Sequence, residues 1–217
     1  MPDETPVPNL HEFFPLLSRR EHYSRKADGA HYSYSYFRER FQHEIAEDCK
    51  LRCVYCDSHE DDVGGRESMQ IDHFRPYTKA GFEKLEDDAK NFHHACARCN
   101  LLKSDKWPCS HATEPHDDTV GFIDPFVEDR RLYFKVSDEG ELVPLRGPAQ
   151  YLIRVLALNR RYLKLLRLKK RFQGLLRKYE AEKLPQWEAA LRGEGMTLSE
   201  LAADFSEYRR LSRLSGS

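Results

Sequence analysis

Apolar and polar residues alternate in several distinct rhythms along the chain, and each rhythm predicts a separate element. Between positions 33 and 49 apolar side chains recur every three to four residues, which indicates an amphipathic helix. Residues 69–74 alternate as a strand does, and Pro76 ends that strand. A second helix is expected from about Asn100 until Pro108, a residue type that interrupts helices. The first half of the chain is therefore predicted to be helix, strand and helix.

The second half begins with a hairpin signal and continues as helix. Residues 132–136 and 141–145 are strand-like, and residues 137–140 between them have turn chemistry. Pro148 suits the first turn of a helix, so we expect one long helix to follow it. Its apolar residues recur in alternating steps of four and three, at Tyr151, Val155, Leu158, Tyr162, Leu165, Phe172, Leu176 and Tyr179.

This apolar seam has two interpretations, packing onto its own domain or onto a partner helix. Thr197 and Glu200 have the spacing of a capping box, which predicts a final helix. Near the N-terminus, the apolar group within residues 10–17 could dock as one helical turn.

Composition excludes some classes of function. The chain has 217 residues, enough for a sizeable apolar core, with 33% charged residues and a formal net charge of −1. No stretch is long and apolar enough to span a membrane, and residues 1–8 do not resemble a secretory signal, so we expect a cytoplasmic protein. We divide the chain into an N-terminal helical segment (1–50), a core (51–108), a loop and β-hairpin (109–146) and a basic helical region (147–217).

Two Cys-x-x-Cys pairs predict a structural zinc site. Zinc takes four thiolates in a tetrahedron, and each pair supplies two of them: Cys53, Cys56, Cys96 and Cys99. A redox pair or disulfides are the alternatives, but the surrounding sequence has no redox pattern and no sign of secretion. Such a zinc site contributes on the order of 10 kcal/mol of folding free energy, which suits a loop-rich core.

Other cysteines and histidines need a separate interpretation. Cys49 and Cys109 are expected to be ordinary thiols. His93 and His94 are interpreted as packing or surface residues, with extra metal ligation as the alternative. The loop residues His111 and His116 could suggest a second metal site, but their spacing without a helix gives it little support.

Four polar residues lie within the zinc frame, and a purely structural zinc module does not need them. They are Asp72, His73, Asn91 and Asn100. Hydrolysis of a phosphodiester needs a base for water and a cation for the phosphate. His is the side chain best suited to that base, while Asp and Asn supply the oxygen ligands that Mg²⁺ prefers. Strand alternation places Asp72 and His73 on opposite faces.

The combination of motifs from Cys53 to Lys103 resembles the HNH endonucleases, which have a ββα-metal fold. The resemblance implies that His73 is the general base and that Asp72 and Asn100 bind a catalytic Mg²⁺ or Mn²⁺. It also implies that Asn91 braces the hairpin and orients the base. The expected fold is α+β, a zinc-bound ββα-metal (HNH) core with flanking helices and a β-hairpin.

Basic residues predict the contacts to nucleic acid. Lys103 and Arg75 belong to the core, and the segment from Pro148 to Lys178 has many Lys and Arg residues but no acidic ones. A basic face without acidic neighbours favours a track for phosphates. The predicted contacts are Lys103, Arg75, Lys164, Arg167 and Arg171.

The sequence therefore favours a metal-dependent nuclease that acts on nucleic acid, DNA in preference to RNA. A non-catalytic zinc module that binds nucleic acid or a protein partner is the alternative. The C-terminal extension also resembles that of the nuclease subunits of Septu-type antiphage systems, which implies an ATPase partner. A homo-oligomer is left open.

Overall fold

The computed structural model describes residues 13–108 and 114–215, and its centre is a β-hairpin followed directly by a short helix. Strand β1 (Met69–His73) pairs antiparallel with β2 (Phe92–Cys96), with His73 opposite Phe92. Helix α2 (Ala97–Lys103) starts at the next residue, earlier than the predicted Asn100. The predicted strand and the α+β fold class are confirmed.

Helix α1 (Tyr34–Asp48) packs against this hairpin, as the apolar spacing predicts. The buried Phe37 ring lies with its centroid 5.5 Å from that of Phe92 on β2. After α1 the chain turns into the first Cys pair through Lys50 and Leu51, which have φ values of 55° and 57°. Helix α1 therefore fixes where the first pair of cysteines begins.

In the segment before α1, the described residues 13–17 bury Phe13, Phe14 and Leu17 without forming the predicted helical turn. The chain bends at Phe13 and Phe14, and Phe14 has a φ of 52°. The Phe14 amide donates a hydrogen bond to Asp57 Oδ2 at 3.1 Å, so its partner lies in the loop after the first Cys pair. The predicted turn is wrong because this long-range bond replaces local ones; Leu10 lies outside the described residues.

A second hairpin and three helices follow the core. Strands β3 (Phe134–Val136) and β4 (Leu142–Pro144) pair antiparallel, which confirms the predicted hairpin. Helices α3 (Ala149–Val155) and α4 (Arg161–Leu191) come next, so the prediction of one long helix from Pro148 is wrong.

The break between α3 and α4 is held by Asn159. Its Oδ1 accepts the Leu142 amide at 2.7 Å and its Nδ2 donates to the Leu142 carbonyl at 2.9 Å, so the side chain pairs with the backbone of β4. Ala157 has a φ of 47°, outside the helical region. Leu156 and Leu158 are both buried on either side of it, an arrangement that a continuous helix does not give.

The predicted apolar seam does not form one continuous face. Leu163 is buried in the core, whereas Tyr162 and Leu165 are 49% and 54% exposed. Further along, Trp187 stacks on Phe205 of helix α5 (Leu198–Ser215) with ring centroids 4.6 Å apart. The second half of α4 therefore packs against α5 rather than against the hairpin core.

Helix α5 starts as its capping box predicts. Thr197 Oγ1 accepts the Glu200 amide at 3.3 Å, and the Glu200 carboxylate accepts the Thr197 amide at 2.8 Å. In the part of the chain that the structure describes, none of the helices has both the length and the apolar character that crossing a membrane requires.

Candidate functional site: a four-cysteine centre and a cleft on strand β1

The four predicted zinc ligands lie together in the interior. Their Sγ atoms are all within 4.8 Å of one another, and those of Cys56 and Cys96 are 3.9 Å apart. Four sulfurs at about 2.3 Å from a tetrahedral zinc are about 3.8 Å from each other. The donor set and spacing fit a zinc ion held by Cys53, Cys56, Cys96 and Cys99, all of them buried.

The β1–β2 hairpin brings the two Cys pairs together. The Val54 amide, inside the first pair, donates to the His94 carbonyl on β2 at 3.0 Å. Cys96 ends β2 and Cys99 lies in the first turn of α2. The second Cys pair therefore lies where β2 ends and α2 begins.

Arg160, from the turn before α4, contacts this centre from outside. Its Nη2 lies 3.9 Å from Cys99 Sγ. Burial alone would lower the pKa of Arg160, but the Cys99 sulfur raises the pKa above its usual value. A cation here offsets the negative charge of four thiolates. Sequence reasoning placed Arg160 on the basic helix and missed this contact, which depends on the break after α3.

A cleft of about 570 Å³ lies along β1, between the start of α1 and helix α2. Three of the four predicted catalytic residues, Asp72, His73 and Asn100, line it together with Tyr34, Tyr77 and Asp105. The structure thus brings together residues that are 27 positions apart in the sequence, 73 to 100. Asn91 lies behind them and is buried.

His73 has a defined proton position. Its Nε2 is 2.8 Å from the Glu86 carbonyl oxygen, which can only accept a hydrogen bond, so Nε2 carries the proton. Nδ1 is then the unprotonated nitrogen of the neutral ring. Burial lowers the pKa of His73 below its usual value, which favours this neutral form. The ring is therefore in the state that a general base requires.

Asp72 is buried and makes two hydrogen bonds. Its Oδ1 accepts from Lys103 Nζ at 3.0 Å and its Oδ2 accepts from the Tyr55 hydroxyl at 2.5 Å. Burial raises the pKa of Asp72, while the Lys103 ammonium opposes that rise. Each carboxylate oxygen keeps a lone pair beyond these bonds, so Asp72 can still serve as an oxygen ligand. Tyr55, within the first Cys pair, was not identified from the sequence.

Asn100 presents one oxygen to the cleft. Its Nδ2 donates to Gln70 Oε1 at 2.7 Å, which leaves the amide oxygen as the atom that can bind a cation. Together with Asp72 it gives an oxygen donor set on two elements, and such a set fits Mg²⁺ or Mn²⁺ better than a soft metal. Gln70, two residues before Asp72, was missed because a polar residue on an exposed strand position has no distinctive signal.

Asn91 braces the chain just beyond His73. Its Oδ1 accepts the Arg75 amide at 2.9 Å, and its Nδ2 donates to the Arg75 carbonyl at 2.9 Å and the Leu85 carbonyl at 3.3 Å. The Asn91 carbonyl also accepts the Phe74 amide at 2.9 Å. One side chain therefore fixes both the end of β1 and the loop that carries Glu86.

Two of the predicted nucleic-acid contacts are corrected by the structure. Lys103 is fully buried, with its Nζ on Asp72 and on the His73 carbonyl at 2.8 Å. Arg167 is also buried, and donates to the carbonyls of Gly140 at 3.0 Å and Leu158 at 2.7 Å. Burial lowers the pKa of Arg167 to about 10. Neither side chain has the exposed surface that a phosphate contact needs.

The other predicted contacts have protein partners nearby. Lys164 is 2.9 Å from Glu141, and Arg171 is 3.1 Å from Asp138, so the hairpin supplies the acidic groups that the helical segment lacks. At Lys164 and Arg171 the prediction of a basic face without acidic neighbours is therefore wrong. Arg75 lies over the rings of Phe74 and Trp107, 5.6 and 5.7 Å from their centroids.

A second groove, with a basic lining, borders the start of β1. Gln70 borders the cleft and Met69 borders the groove, while Tyr34 and Arg38 flank them one helical turn apart on α1. Among the described residues, neither Arg38 nor Arg66 has a carboxylate within ion-pair distance. The charged lining consists of Arg38, Arg40, His43 and Arg66 with Glu39 and Glu67, and Glu39 contacts Arg40 at 3.6 Å.

Among the residues that the structure describes, the remaining histidines and cysteines do not extend the metal centre. His93 and His94 are buried, near Asp124 at 3.6 Å and Glu60 at 3.4 Å respectively, so they are packing residues. His116 bonds the Glu128 carboxylate at 2.9 Å, while His111 and Cys109 lie outside the described residues. Cys49 is buried, and burial raises its pKa to about 12, as expected of an unreactive thiol.

A model of the HNH endonuclease family matches residues 53–106 of the chain. The match covers both Cys pairs, β1, β2, α2 and the cleft residues described above except Tyr34. No curated protein and no solved structure matched the chain. The segment that carries the site is thus similar to HNH endonucleases, while α1 and the region after residue 106 lie outside the match.

Proposed function

We propose that this protein is a metal-dependent endonuclease that hydrolyses phosphodiester bonds of nucleic acid, with the cleft on β1 as its active site. The observation that carries the proposal is the state of His73. Its Nε2–H is committed to the Glu86 carbonyl, and its free Nδ1 belongs to a ring that lines the cleft beside Asp72 and Asn100. The match of the HNH endonuclease family to this segment supports the same activity.

In this proposal His73 Nδ1 takes a proton from the attacking water. Asp72 and Asn100 hold the cation, and Lys103 and Tyr55 fix the Asp72 carboxylate while Gln70 fixes the Asn100 amide. A Mg²⁺ or Mn²⁺ held by these two residues would polarise the scissile phosphate and would offset charge on the departing 3′ oxygen. By the family resemblance, the products carry 5′-phosphate and 3′-hydroxyl ends.

The phosphates that flank the scissile bond lie in the basic groove in this proposal. Arg38 and Arg66 are exposed cations with no carboxylate partner among the described residues, and their groove borders Met69, next to the β1 residue Gln70 that lines the cleft. Guanidinium groups bind phosphate oxygens through several donors at once. In this proposal the groove replaces the basic helix as the nucleic-acid surface, because the three predicted helix contacts, Arg167, Lys164 and Arg171, are buried or paired.

The experiment compares cleavage of duplex DNA, single-stranded DNA and RNA by the purified chain, with and without added Mg²⁺. We expect Mg²⁺-dependent cleavage, with DNA preferred to RNA, and no cleavage by the His73→Ala variant prepared in parallel. A chain that binds nucleic acid and retains its zinc, yet cuts none of the three, would identify a non-catalytic zinc module instead.

The biological part of the proposal is narrower. The resemblance of the C-terminal extension to Septu-type nuclease subunits supports a role in antiphage defence with an ATPase partner in the cytoplasm. Phage plating on cells that carry the chain with and without a co-encoded ATPase tests this role. Protection that survives in the His73→Ala variant would contradict a defence role that depends on cleavage by this chain.

A further inference from the structure

Tyr34, the first residue of α1, contacts the proposed base from outside the segment that the HNH model matches. Its ring centroid is 4.5 Å from that of His73, with the two planes 46° apart. Tyr77 lies 4.7 Å from His73, and Phe92 lies 5.1 Å from it and 5.5 Å from Tyr34. The imidazole therefore contacts three aromatic rings, and one of them belongs to α1.

The Tyr34 hydroxyl holds the strand that carries the base. It donates to the Ile71 carbonyl at 3.1 Å, two residues before His73. Among the described residues β1 pairs only with β2, so the carbonyls on its other edge need partners from side chains. Lys103 serves the His73 carbonyl in the same way at 2.8 Å. The edge of β1 is thus fixed on both sides of the Asp72–His73 pair.

The Tyr34 backbone holds the loop whose Glu86 carbonyl accepts the hydrogen bond from His73. Its amide donates to Asp87 Oδ1 at 2.7 Å. Asp87 directly follows Glu86, whose carbonyl fixes the Nε2–H tautomer of His73. A single residue therefore contacts the imidazole ring, the strand beneath it and the loop that sets its proton position.

We propose that Tyr34 is a positioning residue for His73, so that α1 completes the active site although it lies outside residues 53–106. This inference rests on the proposed nuclease function. Side-chain rotation of His73 would break the Nε2 bond to Glu86, which is the contact that leaves Nδ1 unprotonated. The Tyr34 ring blocks that rotation. The two hydrogen bonds of Tyr34, to Ile71 and to Asp87, keep β1 and the Glu86 carbonyl in fixed positions relative to each other.

The test uses Tyr34→Ala and Tyr34→Phe in the full chain, with Tyr36→Ala as the matched control. Tyr36 lies two positions further on the same helix, is exposed, and stacks on Tyr32 rather than on His73. Misplacing a base costs about 10-fold to 100-fold in kcat, and we expect this loss in Tyr34→Ala with KM changed by less than about threefold. Tyr34→Phe keeps the ring and should restore most of the rate.

A second readout needs no substrate. ¹⁵N NMR of histidine-labelled protein reports which nitrogen of His73 carries the proton. We expect one Nε2–H tautomer in the wild type and in Tyr36→Ala, and a mixture of tautomers in Tyr34→Ala and Asp87→Ala. Zinc content and melting temperature are measured on each variant, so that a general loss of structure is recognised.

The two proposals fail in different ways. If His73→Ala cuts as fast as the wild type, or neither cuts, the nuclease assignment of the cleft fails, and the tautomer readout alone decides the role of Tyr34. If His73→Ala is inactive while Tyr34→Ala keeps the wild-type kcat and a single tautomer, Tyr34 only packs and the inference is overturned.

Discussion

Lys103 of α2 and Asp72 of β1 form a buried ion pair, with Nζ 3.0 Å from Oδ1 and no exposed surface on the lysine side chain. The same ammonium donates to the His73 carbonyl at 2.8 Å. Lys103, one helical turn after Asn100, therefore links α2 to β1 through two contacts, one to Asp72 and one to the carbonyl of His73. Its charge orients the Asp72 carboxylate instead of contacting phosphate.

Replacing Lys103 with Met should destabilise the protein strongly. Removing one partner of a buried ion pair leaves the other charge uncompensated and costs about 3–5 kcal/mol of unfolding free energy. Urea denaturation followed by circular dichroism measures the change. Lys106→Met, three residues later and exposed, is the control and should unfold nearly as the wild type does. Equal midpoints for the two variants would mean that the buried pair does not stabilise the fold.

Features set by local chemistry were predictable from the sequence. Strand alternation predicted β1, turn residues predicted the β3–β4 hairpin, and the spacing of Thr197 and Glu200 predicted the start of α5. The four cysteines cluster as their spacing requires. Each of these signals is complete within a few residues or within one ligand set.

Features set by distant partners were not predictable. Arg167 is buried because the Gly140 and Leu158 carbonyls accept from it, and Lys103 is buried because Asp72 does. A Lys or Arg has the same appearance in a sequence whether its partner is a phosphate or a backbone carbonyl. Asn159 ends a helical pattern for the same kind of reason, since its amide pairs with Leu142 on another element.

Each chain should contain one tightly bound zinc. Replacing Cys56 or Cys96 with Ser should remove the zinc and unfold the core, because an incomplete thiolate set loses most of the roughly 10 kcal/mol that metal binding contributes. Elemental analysis and circular dichroism of purified protein measure both effects. Cys49→Ala is the control, since Cys49 is buried but is not a member of the cluster. A folded protein with much less than one zinc per chain would refute the assignment.

His73→Ala should fold and lose cleavage. A general base contributes about 10²-fold or more to the rate, so we expect at least that loss at saturating Mg²⁺ and substrate. The melting temperature and zinc content should stay close to those of the wild type, because His73 is only partly buried and binds no zinc. His22→Ala, an exposed histidine before α1, is the matched control and should cut normally. A near wild-type rate in His73→Ala would exclude it as the base.

The groove arginines should determine how strongly salt weakens binding. Each Lys or Arg on a phosphate of duplex DNA adds about 0.9 to the slope of log affinity against log salt, because the contact releases a counterion. Reversing Arg38 and Arg66 to Glu should therefore weaken binding and flatten that slope by about one to two units. Affinity is measured at several salt concentrations with duplex DNA, in the His73→Ala background so that the DNA stays intact.

The matched control reverses two exposed cations in the second half of α4, Arg177 and Lys178. It makes the same change in net charge, so it separates a local contact from a long-range effect of charge. We expect the control to keep the wild-type slope, since α4 packs there against α5 rather than against the cleft. If the α4 variant flattens the slope and the Arg38 and Arg66 variant does not, the nucleic acid follows the helix. The basic groove would then have no part in binding, and its proposed role in holding the flanking phosphates would be wrong.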